Sequence, residues 1–556
     1  MKYAKQMKRG LAAFLTVLLS LGAAACQSPD PDPQGTAANT AVQSESASIA
    51  EAETVTEPAD ETESEGEPTE TAEAALPPVE FVYRGERFAV ADDGRSATVE
   101  RLSGDGESTY DGAFFESELL DGDFRADLHV KFSNLRSESG LLFCASETDG
   151  GLQGYALIVR ENTVSLSRVE SSAEAGVTVT DVLTRFVSGT QRDHVKGEGF
   201  TLRVERIGTA FRLYYLDDAE GVEPWPEMEM ELEDADGRGI GYLSNGYGAS
   251  FGEVLLEPVE EVYEGSTYQN PVCPGADPYI LYHEGKYYLY ATNLTTAYDV
   301  YTSSDLQNWM YEGICAEGLW GLTSNYWAPE VFAYEGKFYM VATVDWHVGI
   351  AVADHPLGPF VANDTWLLEG SIDGHIFIDD DGRKYLYVHN ADGGKSGISG
   401  YELTDDMSAI KEGSFAKLAL ARGGEAWERY TLEGPYMLKY NGRYYLTYSG
   451  SGYEDDGYSV GYSVSDSPLG TFVSYELNPV LTMTPQVHGC GHHSFTVSPD
   501  GSEMLIVYHK HYDLNTVHPR QTCIDRVRFS TTAFGEDRLE IFGPTYLPQP
   551  VPSSDK

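Results

Sequence analysis

A short pattern repeats five times in the second half of the 556-residue chain, and it limits the possible folds more than any other feature. Each copy is an apolar strand, a turn containing glycine, and a second strand rich in Tyr, Leu and Val, which is the pattern of a β-hairpin. The copies recur roughly every 40–60 residues, as expected when each belongs to a four-stranded propeller blade. We therefore predict a five-bladed β-propeller over residues 265–550, with copies at 277–292, 328–343, 373–389, 433–448 and 492–508.

Every copy has a polar or ionisable residue at or near the start of its first strand. In a propeller the innermost strand of each blade lines the central axis, so equivalent residues of different blades converge at one end of the channel. The pattern predicts one cavity shared by carboxylates and an imidazole that are far apart in the sequence. The candidate residues are Asp277, Glu330, Asp373, Glu433 and His492.

The beginning of the chain has the composition of an export signal. Basic residues precede an apolar run at 11–21, which is too short to span a membrane, and small residues then lead to Cys26. This segment, 1–26, resembles a bacterial lipoprotein signal, in which Cys26 becomes the lipidated first residue. Cleavage without lipidation is the alternative, because Ala23 stands where such signals prefer Leu.

Residues 27–78 contain no aromatic residue, no Lys and no Arg. Such a segment cannot bury enough apolar surface to offset the entropy lost on ordering, so we predict a disordered acidic tether. Together with the signal, it predicts a secreted protein held at the outer face of a bacterial cell membrane, with the lipid on Cys26 as the membrane contact.

The chain carries a net charge of −51, and only 14 of its acidic residues lie in 27–80. Acidity is therefore also a property of the folded part, which argues against nucleic acid or anionic membranes as partners and suits a neutral substrate. Five cysteines besides Cys26 show no spacing typical of a zinc site. We expect mostly free, buried thiols, and a single disulfide stays open.

Residues 79–260 are predicted to form an antiparallel β-sandwich. Apolar and polar residues alternate at 124–132, 163–169 and 200–206, with turn residues between the strands. The succession of strands resembles a concanavalin-like jelly roll. Such modules often accompany glycosidases and bind carbohydrate, whereas a spacer, or a domain packed on the enzyme, is the alternative role.

The propeller region resembles glycoside hydrolase family 43 over nearly all of residues 268–549. The resemblance depends on the order of five short motifs along the blades rather than on any one of them. They are Asn270-Pro-Val-Cys-Pro-Gly-Ala-Asp277-Pro, Trp327-Ala-Pro-Glu330, Ile372-Asp373, Glu433-Gly-Pro435 and Gly489-Cys-Gly-His492. The expected fold class is all-β, with the sandwich followed by the five-bladed propeller.

The resemblance implies three catalytic roles. Asp277 would be the general base that activates water, Glu433 the general acid, and Asp373 the residue that orients the acid and raises its pKa. It implies a single-displacement, inverting mechanism, for which the two reacting carboxyl groups are expected roughly 6.5–9.5 Å apart.

Further residues are implied to bind the sugar or a metal. Arg520 matches a fifth-blade arginine that reaches the sugar site, and Tyr326, Trp327 and Trp346 are candidates for stacking on sugar rings. No cofactor is expected to be required. His492 aligns with a histidine often found beside a structural calcium ion, whose remaining ligands would be mostly water, and a histidine without metal is the alternative.

These implications describe an inverting glycosidase that acts on plant polysaccharide or oligosaccharide. The expected activities are α-L-arabinofuranosidase, arabinanase or β-xylosidase. An exo-acting galactan hydrolase is an alternative, which the presence of Asp277 disfavours. A non-catalytic, glycan-binding surface lipoprotein is another, which the presence of all three carboxylates disfavours.

Overall fold

The computed structural model describes residues 78–100, 109–148, 151–160, 163–172, 176–186, 197–216, 226–232, 234–259, 266–392, 395–422, 427–531 and 537–554. The predicted signal at 1–26, and the tether at 27–78 apart from its last residue, lie outside these ranges. Among the described ranges, no helix is both long enough and apolar enough to cross a membrane. The five cysteines after Cys26 are all described, and they are free and buried as predicted.

The part of the chain before residue 260 consists of β-strands and one short 3-10 helix, Glu118–Asp121. The strands are β1 Phe81–Arg84, β2 Phe88–Val90, β3 Ala97–Val99, β4 Tyr110–Glu116, β5 Phe124–Phe132, β6 Glu138–Thr148, β7 Gly151–Arg160, β8 Thr163–Ser172, β9 Gly176–Phe186, β10 Phe200–Ile207, β11 Ala210–Leu216, β12 Met228–Glu231, β13 Gly239–Asn245 and β14 Ala249–Pro258.

These strands form two seven-stranded antiparallel sheets that pack face to face. The first has the order β1-β4-β13-β6-β7-β8-β9 and the second β12-β11-β10-β5-β14-β3-β2. Every second residue of β5 is buried, from Phe124 through Leu128 to Phe132, and one apolar core draws on both sheets. The predicted β-sandwich is confirmed, because alternation along each strand gives each sheet one face to bury.

The described residues from 266 onward form five sheets of four or five strands and one two-stranded sheet, with a second short 3-10 helix at Leu319–Gly321. Their strands are β15 Thr267–Tyr268, β16 Cys273–Pro274, β17 Ala276–His283, β18 Lys286–Thr292, β19 Ala297–Ser303, β20 Met310–Glu317, β21 Tyr326–Tyr334, β22 Lys337–Val344, β23 His347–Ala353, β24 Val361–Ala362, β25 Leu368–Glu369, β26 Ser371–Ile378, β27 Lys384–Asp392, β28 Lys395–Glu402, β29 Ala416–Leu420, β30 Leu432–Tyr440, β31 Arg443–Gly450, β32 Ser459–Ser465, β33 Val473–Ser474, β34 Gly491–Val497, β35 Met504–Lys510, β36 Gln521–Thr531, β37 Asp537–Phe542 and β38 Gln549–Pro550.

The five sheets are the blades of the predicted propeller, and the all-β fold class is confirmed. Blades one to four begin with β17, β21, β26 and β30, and each continues through the next strands of the chain. The fifth blade combines β34 to β37 with β16, which comes from the other end of the propeller sequence and pairs with β36. A second pairing joins β15 to β38. The ring is therefore closed by strands from both ends of the propeller region.

Each blade has a β-bulge near the start of its innermost strand. The register between the first and second strands shifts at this point in all five blades. The first bulge residue has a positive φ, a conformation that side chains other than glycine adopt rarely and at a cost. These residues are Asp277 (52°), Ala328 (41°), Asp373 (57°), Gly434 (54°) and His492 (48°).

In every blade, the backbone N–H of the first bulge residue donates to a side chain of the preceding blade. Asp277 donates to His509 Nδ1 at 3.1 Å, Ala328 to Thr292 Oγ1 at 2.8 Å, Asp373 to Thr343 Oγ1 at 3.0 Å, Gly434 to Asp373 Oδ2 at 3.2 Å and His492 to Ser449 Oγ at 2.7 Å. These bonds fix each bulge to its neighbouring blade around the whole ring. They explain how a strained backbone is maintained at one end of the channel.

The bulges correct the predicted equivalence of the five repeats. Asp277, Asp373 and His492 do occupy equivalent positions, but Glu330 lies two residues beyond the bulge position of its blade and Glu433 lies one residue before it. Glu330 is buried and bonds to His375 Nδ1 at 2.6 Å. The carboxylate of Glu330 is therefore occupied by a contact inside the propeller, farther along its strand than the bulge position.

A buried polar contact connects the sandwich to the end of the propeller. Arg212 of β11 donates to Glu229 Oε1 of β12 at 3.1 Å and to the carbonyl of Pro548 at 3.0 Å. Gln549 of β38 donates to both oxygens of Glu229, at 2.8 and 2.9 Å. All three side chains that meet here are buried. The strand that helps to close the propeller is therefore bonded to the sandwich as well.

Candidate active site

Asp277 lies at the first bulge and is surrounded by cationic and imidazole groups. Arg520 donates to its Oδ1 at 2.7 Å and to its Oδ2 at 3.5 Å, and His492 Nδ1 lies 3.4 Å from Oδ1. Burial by itself would raise the pKa of Asp277, but Arg520, His492 and His509 more than offset it and hold that pKa well below its usual range. Asp277 is therefore held in its ionised form, the form in which a carboxylate can accept a proton from water.

Asp373 and Glu433 form a second, opposite electrostatic environment. Asp373 Oδ2 accepts from the backbone N–H of Gly434, the residue that follows Glu433. Burial raises the pKa of both carboxyl groups, and for Glu433 the charge of Asp373 is the next largest cause. One of the pair therefore stays protonated under conditions in which Asp277 is ionised. The site thus holds a carboxylate and a carboxylic acid side by side.

Glu433 is held by a tyrosine that the sequence did not indicate. The hydroxyl of Tyr458 donates to Glu433 Oε1 at 2.8 Å. His509, also not predicted, accepts from the Asp277 backbone N–H, and burial followed by the charge of Arg520 lowers the pKa of His509 to about 3. The imidazole of His509 therefore stays neutral beside Asp277 and Arg520. The sequence did contain a pattern that indicates His509. The first two repeats end in Thr292 and Thr343, and His509 stands at the corresponding place, directly after the fifth repeat.

The three predicted stacking residues differ in their surroundings. Trp327 precedes the bulge residue of its blade, as Glu433 does in the fourth blade, so the two face the same end of the channel. Trp346 is 40% exposed and meets Trp327 edge to face at 5.6 Å between ring centroids. Tyr326 is wrong as a stacking residue, because it is fully buried and its hydroxyl bonds to the backbone of residues 319 and 322.

Arg520 lies at the site and not in an ion pair on the protein surface. Only 10% of its side chain is exposed, and it pairs with Asp277. The guanidinium also lies over the ring of Tyr453, with 4.4 Å between its central carbon and the ring centroid. Whether Arg520 also contacts sugar stays a prediction.

The surroundings of His492 do not fit a calcium ion held by protein oxygens. Calcium takes six to eight oxygen ligands. The carboxylate beside this imidazole, Asp277, already accepts from Arg520 at 2.7 Å. Within the described ranges, no group of three or more His, Cys, Asp or Glu side chains is arranged to hold a metal ion. A calcium ion held through water stays a prediction, and no step proposed below uses one.

A carboxylate and a carboxylic acid lie close together at one end of a five-bladed propeller, and hydrolysis of a glycosidic bond requires such a pair. The profile of Glycosyl hydrolases family 43 matches residues 268–532. A β-D-galactofuranosidase of Aspergillus niger is 33% identical over 292 residues, which are 47% of this chain and 82% of that protein. The chain belongs to glycoside hydrolase family 43 and is a glycosidase that hydrolyses O-glycosyl bonds.

Two further relatives cover the same part of the chain. An extracellular exo-α-(1→5)-L-arabinofuranosidase of Streptomyces chartreusis is 30% identical, over 44% of this chain and 82% of that protein. A xylosidase/arabinosidase of Bacteroides ovatus is 27% identical, with the same two coverages of 44% and 82%. The names of these relatives span several pentose and hexose glycosides, so the similarity alone does not select one sugar.

Proposed function

We propose that the protein is an inverting glycosidase that removes α-L-arabinofuranosyl or β-D-xylosyl units from plant polysaccharide, with Asp277 as general base and Glu433 as general acid. One observation carries this proposal: the two carboxyl groups have pKa values shifted in opposite directions, Asp277 downward and Glu433 upward. Opposite shifts of neighbouring carboxyl groups are what a base and an acid working at the same pH require.

Each neighbour of these groups has a specific task in the proposed reaction. Water lies on one face of the sugar, and Asp277 takes a proton from it as the oxygen attacks the anomeric carbon. Glu433 gives its proton to the departing glycosidic oxygen on the other face. Asp373 keeps Glu433 protonated beforehand through the repulsion between their charges, and its bond to the Gly434 N–H fixes its own position.

The aromatic side chains at the opening support binding of a sugar chain. Sugar rings stack on exposed aromatic faces because both surfaces bury apolar area. Trp346 is partly exposed, supported by Trp327, and has a φ of 66°, which is unusual for a bulky residue. Strain of this kind is found where function requires a particular side-chain direction. We assign both tryptophans to the substrate-binding surface.

The activity is tested with para-nitrophenyl α-L-arabinofuranoside and β-D-xyloside beside linear arabinan and arabinoxylan. The β-D-galactofuranoside belongs in the same series because of the Aspergillus relative, and β-galactan tests the exo-galactanase alternative. We expect activity on an arabinofuranoside or a xyloside. Proton NMR should show that the sugar first released has the anomeric configuration opposite to that of the substrate. Retention would exclude the single-displacement mechanism, and glycan binding without hydrolysis would favour the non-catalytic alternative.

We also propose that the sandwich is a concanavalin-like jelly roll that supports the propeller, and that the mature chain is a lipoprotein anchored through Cys26. The buried contact of Arg212 and Glu229 with Gln549 supports the first part. The order of basic, apolar and small residues before Cys26 supports the second. Incorporation of labelled palmitate into the wild-type protein, and its loss in Cys26→Ser, tests the anchor. Equal labelling of both proteins would exclude it.

A further inference from the structure

The segment at 451–458 joins β31 to β32 and contacts both halves of the site. At its end, the Tyr458 hydroxyl donates to Glu433 Oε1 at 2.8 Å. Near its start, the ring of Tyr453 lies against Arg520, which in turn pairs with Asp277. The segment has internal bonds of its own, including one from the backbone N–H of Tyr458 to the carbonyl of Asp455 at 3.0 Å. A single connection thus reaches the proposed acid and the partner of the proposed base.

The ring of Tyr458 is fixed from both sides. It is fully buried and stacks on the imidazole of His509, with 5.6 Å between ring centroids and 16° between the planes. The other contact is with Gly491, where an added Cβ would lie only 2.2 Å from the tyrosine ring. No side chain larger than hydrogen therefore fits at position 491 unless the tyrosine moves. The phenol oxygen consequently has one well-defined position.

The hydroxyl of Tyr458 keeps its proton and donates a hydrogen bond to Glu433 Oε1. Burial, and next the charges of Glu433 and Asp277, raise the pKa of Tyr458 well above its ordinary value, so the phenol keeps its proton. The other titratable groups that face Glu433 are Asp373, Asp277 and His492. These three groups act on Glu433 through their charge, whereas Tyr458 forms a hydrogen bond to one particular oxygen, Oε1.

We propose that Tyr458 is a positioning residue that keeps Glu433 Oε1 as a hydrogen-bond acceptor and thereby places the transferable proton on Oε2. This rests on the proposed role of Glu433 as the acid. In the reaction, the O–H bond at Oε2 breaks, an O–H bond to the glycosidic oxygen forms, and the anomeric carbon loses that oxygen. Glu433 becomes anionic in the same step, so the bond from Tyr458 becomes charge-assisted and stronger as the transition state is reached.

The test is Tyr458→Phe, which removes one oxygen atom and leaves the ring. We expect kcat on para-nitrophenyl glycosides to fall about ten- to a hundredfold, as loss of a hydrogen bond to a charged group predicts, with little change in KM. The basic limb of the kcat–pH profile should move to higher pH, because the ionised form of Glu433 has lost a donor. On 2,4-dinitrophenyl glycosides, which leave without protonation, the defect should largely disappear.

Tyr290→Phe is the matched control. Tyr290 is equally buried, and its hydroxyl donates to the carbonyl of Pro356 at 2.6 Å, away from the carboxylates. It should lose a comparable hydrogen bond and keep its kcat and pH profile. If Tyr458→Phe fails to fold, 2,3,5-trifluorotyrosine incorporated at position 458 keeps the ring and strengthens the donor, so the basic limb should move to lower pH.

The outcomes separate this proposal from the one it rests on. If Glu433→Gln shows the leaving-group dependence and Tyr458→Phe does not, Tyr458 has no positioning role. If neither variant shows it, the assignment of Glu433 as the acid is itself wrong. A fall in kcat for Tyr458→Phe that is equal for all leaving groups, with an unchanged pH profile, would also overturn the proposal, because it would indicate only a structural role.

Discussion

Replacing Glu433 by Gln is expected to lower kcat on para-nitrophenyl glycosides and on arabinan by about two to four orders of magnitude, the usual contribution of a general acid. Gln has the shape of Glu but has no proton to give. The defect should be much smaller on 2,4-dinitrophenyl glycosides, whose leaving group departs as an anion. Steady-state kinetics on the two classes of substrate measure the difference, and an equal loss on both would argue against Glu433 as the acid.

The same variant should alter the pH dependence. Burial and the charge of Asp373 raise the pKa of Glu433 to about 7, so the wild-type kcat should fall as the pH rises through that value and the acid loses its proton. The pKa of Asp277 lies well below its usual range, so the acidic limb should appear only at strongly acidic pH. In Glu433→Gln the basic limb that reports deprotonation of the acid should disappear, because the side chain no longer has a proton to lose.

Asp277→Asn is the matched comparison for Glu433→Gln. It removes the base without changing the shape of the side chain, and water must still be activated whatever the leaving group. We therefore expect a loss of similar size that does not depend on the leaving group. Activity close to that of the wild type in Asp277→Asn would contradict the proposed mechanism.

Glu229→Gln is expected to lower the free energy of unfolding by about 3–5 kcal/mol, the typical cost of breaking a buried ion pair. The side chains of Glu229 and Arg212 are only 3% and 6% exposed, so the guanidinium would be left in a buried site without its carboxylate. Chemical denaturation, followed by fluorescence and by activity, measures the effect. If the contact to Gln549 couples the sandwich to the propeller, activity should be lost at the same denaturant concentration at which fluorescence reports unfolding.

Two comparisons isolate the effect of burial. Asp354→Asn breaks the pair of Lys337 and Asp354, whose side chains are 52% and 90% exposed, and should cost about 0–1 kcal/mol. The double variant Arg212→Met with Glu229→Leu replaces both charges by apolar groups and should recover much of the stability. A cost below about 1 kcal/mol for Glu229→Gln would mean that the contact does not secure the sandwich.

The fold could be predicted well from the sequence because it depends on patterns within short, contiguous segments. Each blade hairpin has its own strands and turn, and the copies resemble one another, so the propeller follows from repetition. The sandwich followed from alternation along strands such as β5. The two kinds of pattern need no knowledge of which residues meet across the structure.

The candidate site was predicted only in part, for a physical reason. The repeats were compared by chemical type, which treated Glu330 and Glu433 as equivalent to Asp277, whereas the bulges offset them by two residues and by one. Aligning the prolines at 278, 329 and 435 would have given the correct equivalence, since each follows a bulge residue. Tyr458 had no such signal, because its contact with Glu433 is made across a connection and not within a repeat.

The closure of the ring also decides when the protein can become active. Asp277 follows β16 almost directly, whereas Arg520 stands immediately before β36, the strand with which β16 pairs. The guanidinium of Arg520, which pairs with Asp277, therefore arrives only when the last part of the propeller has been synthesised and has met the first. A chain that is still growing, or one clipped before position 520, contains the proposed acid and the proposed base but leaves Asp277 without its partner Arg520. We therefore expect hydrolysis only from chains in which the ring has closed.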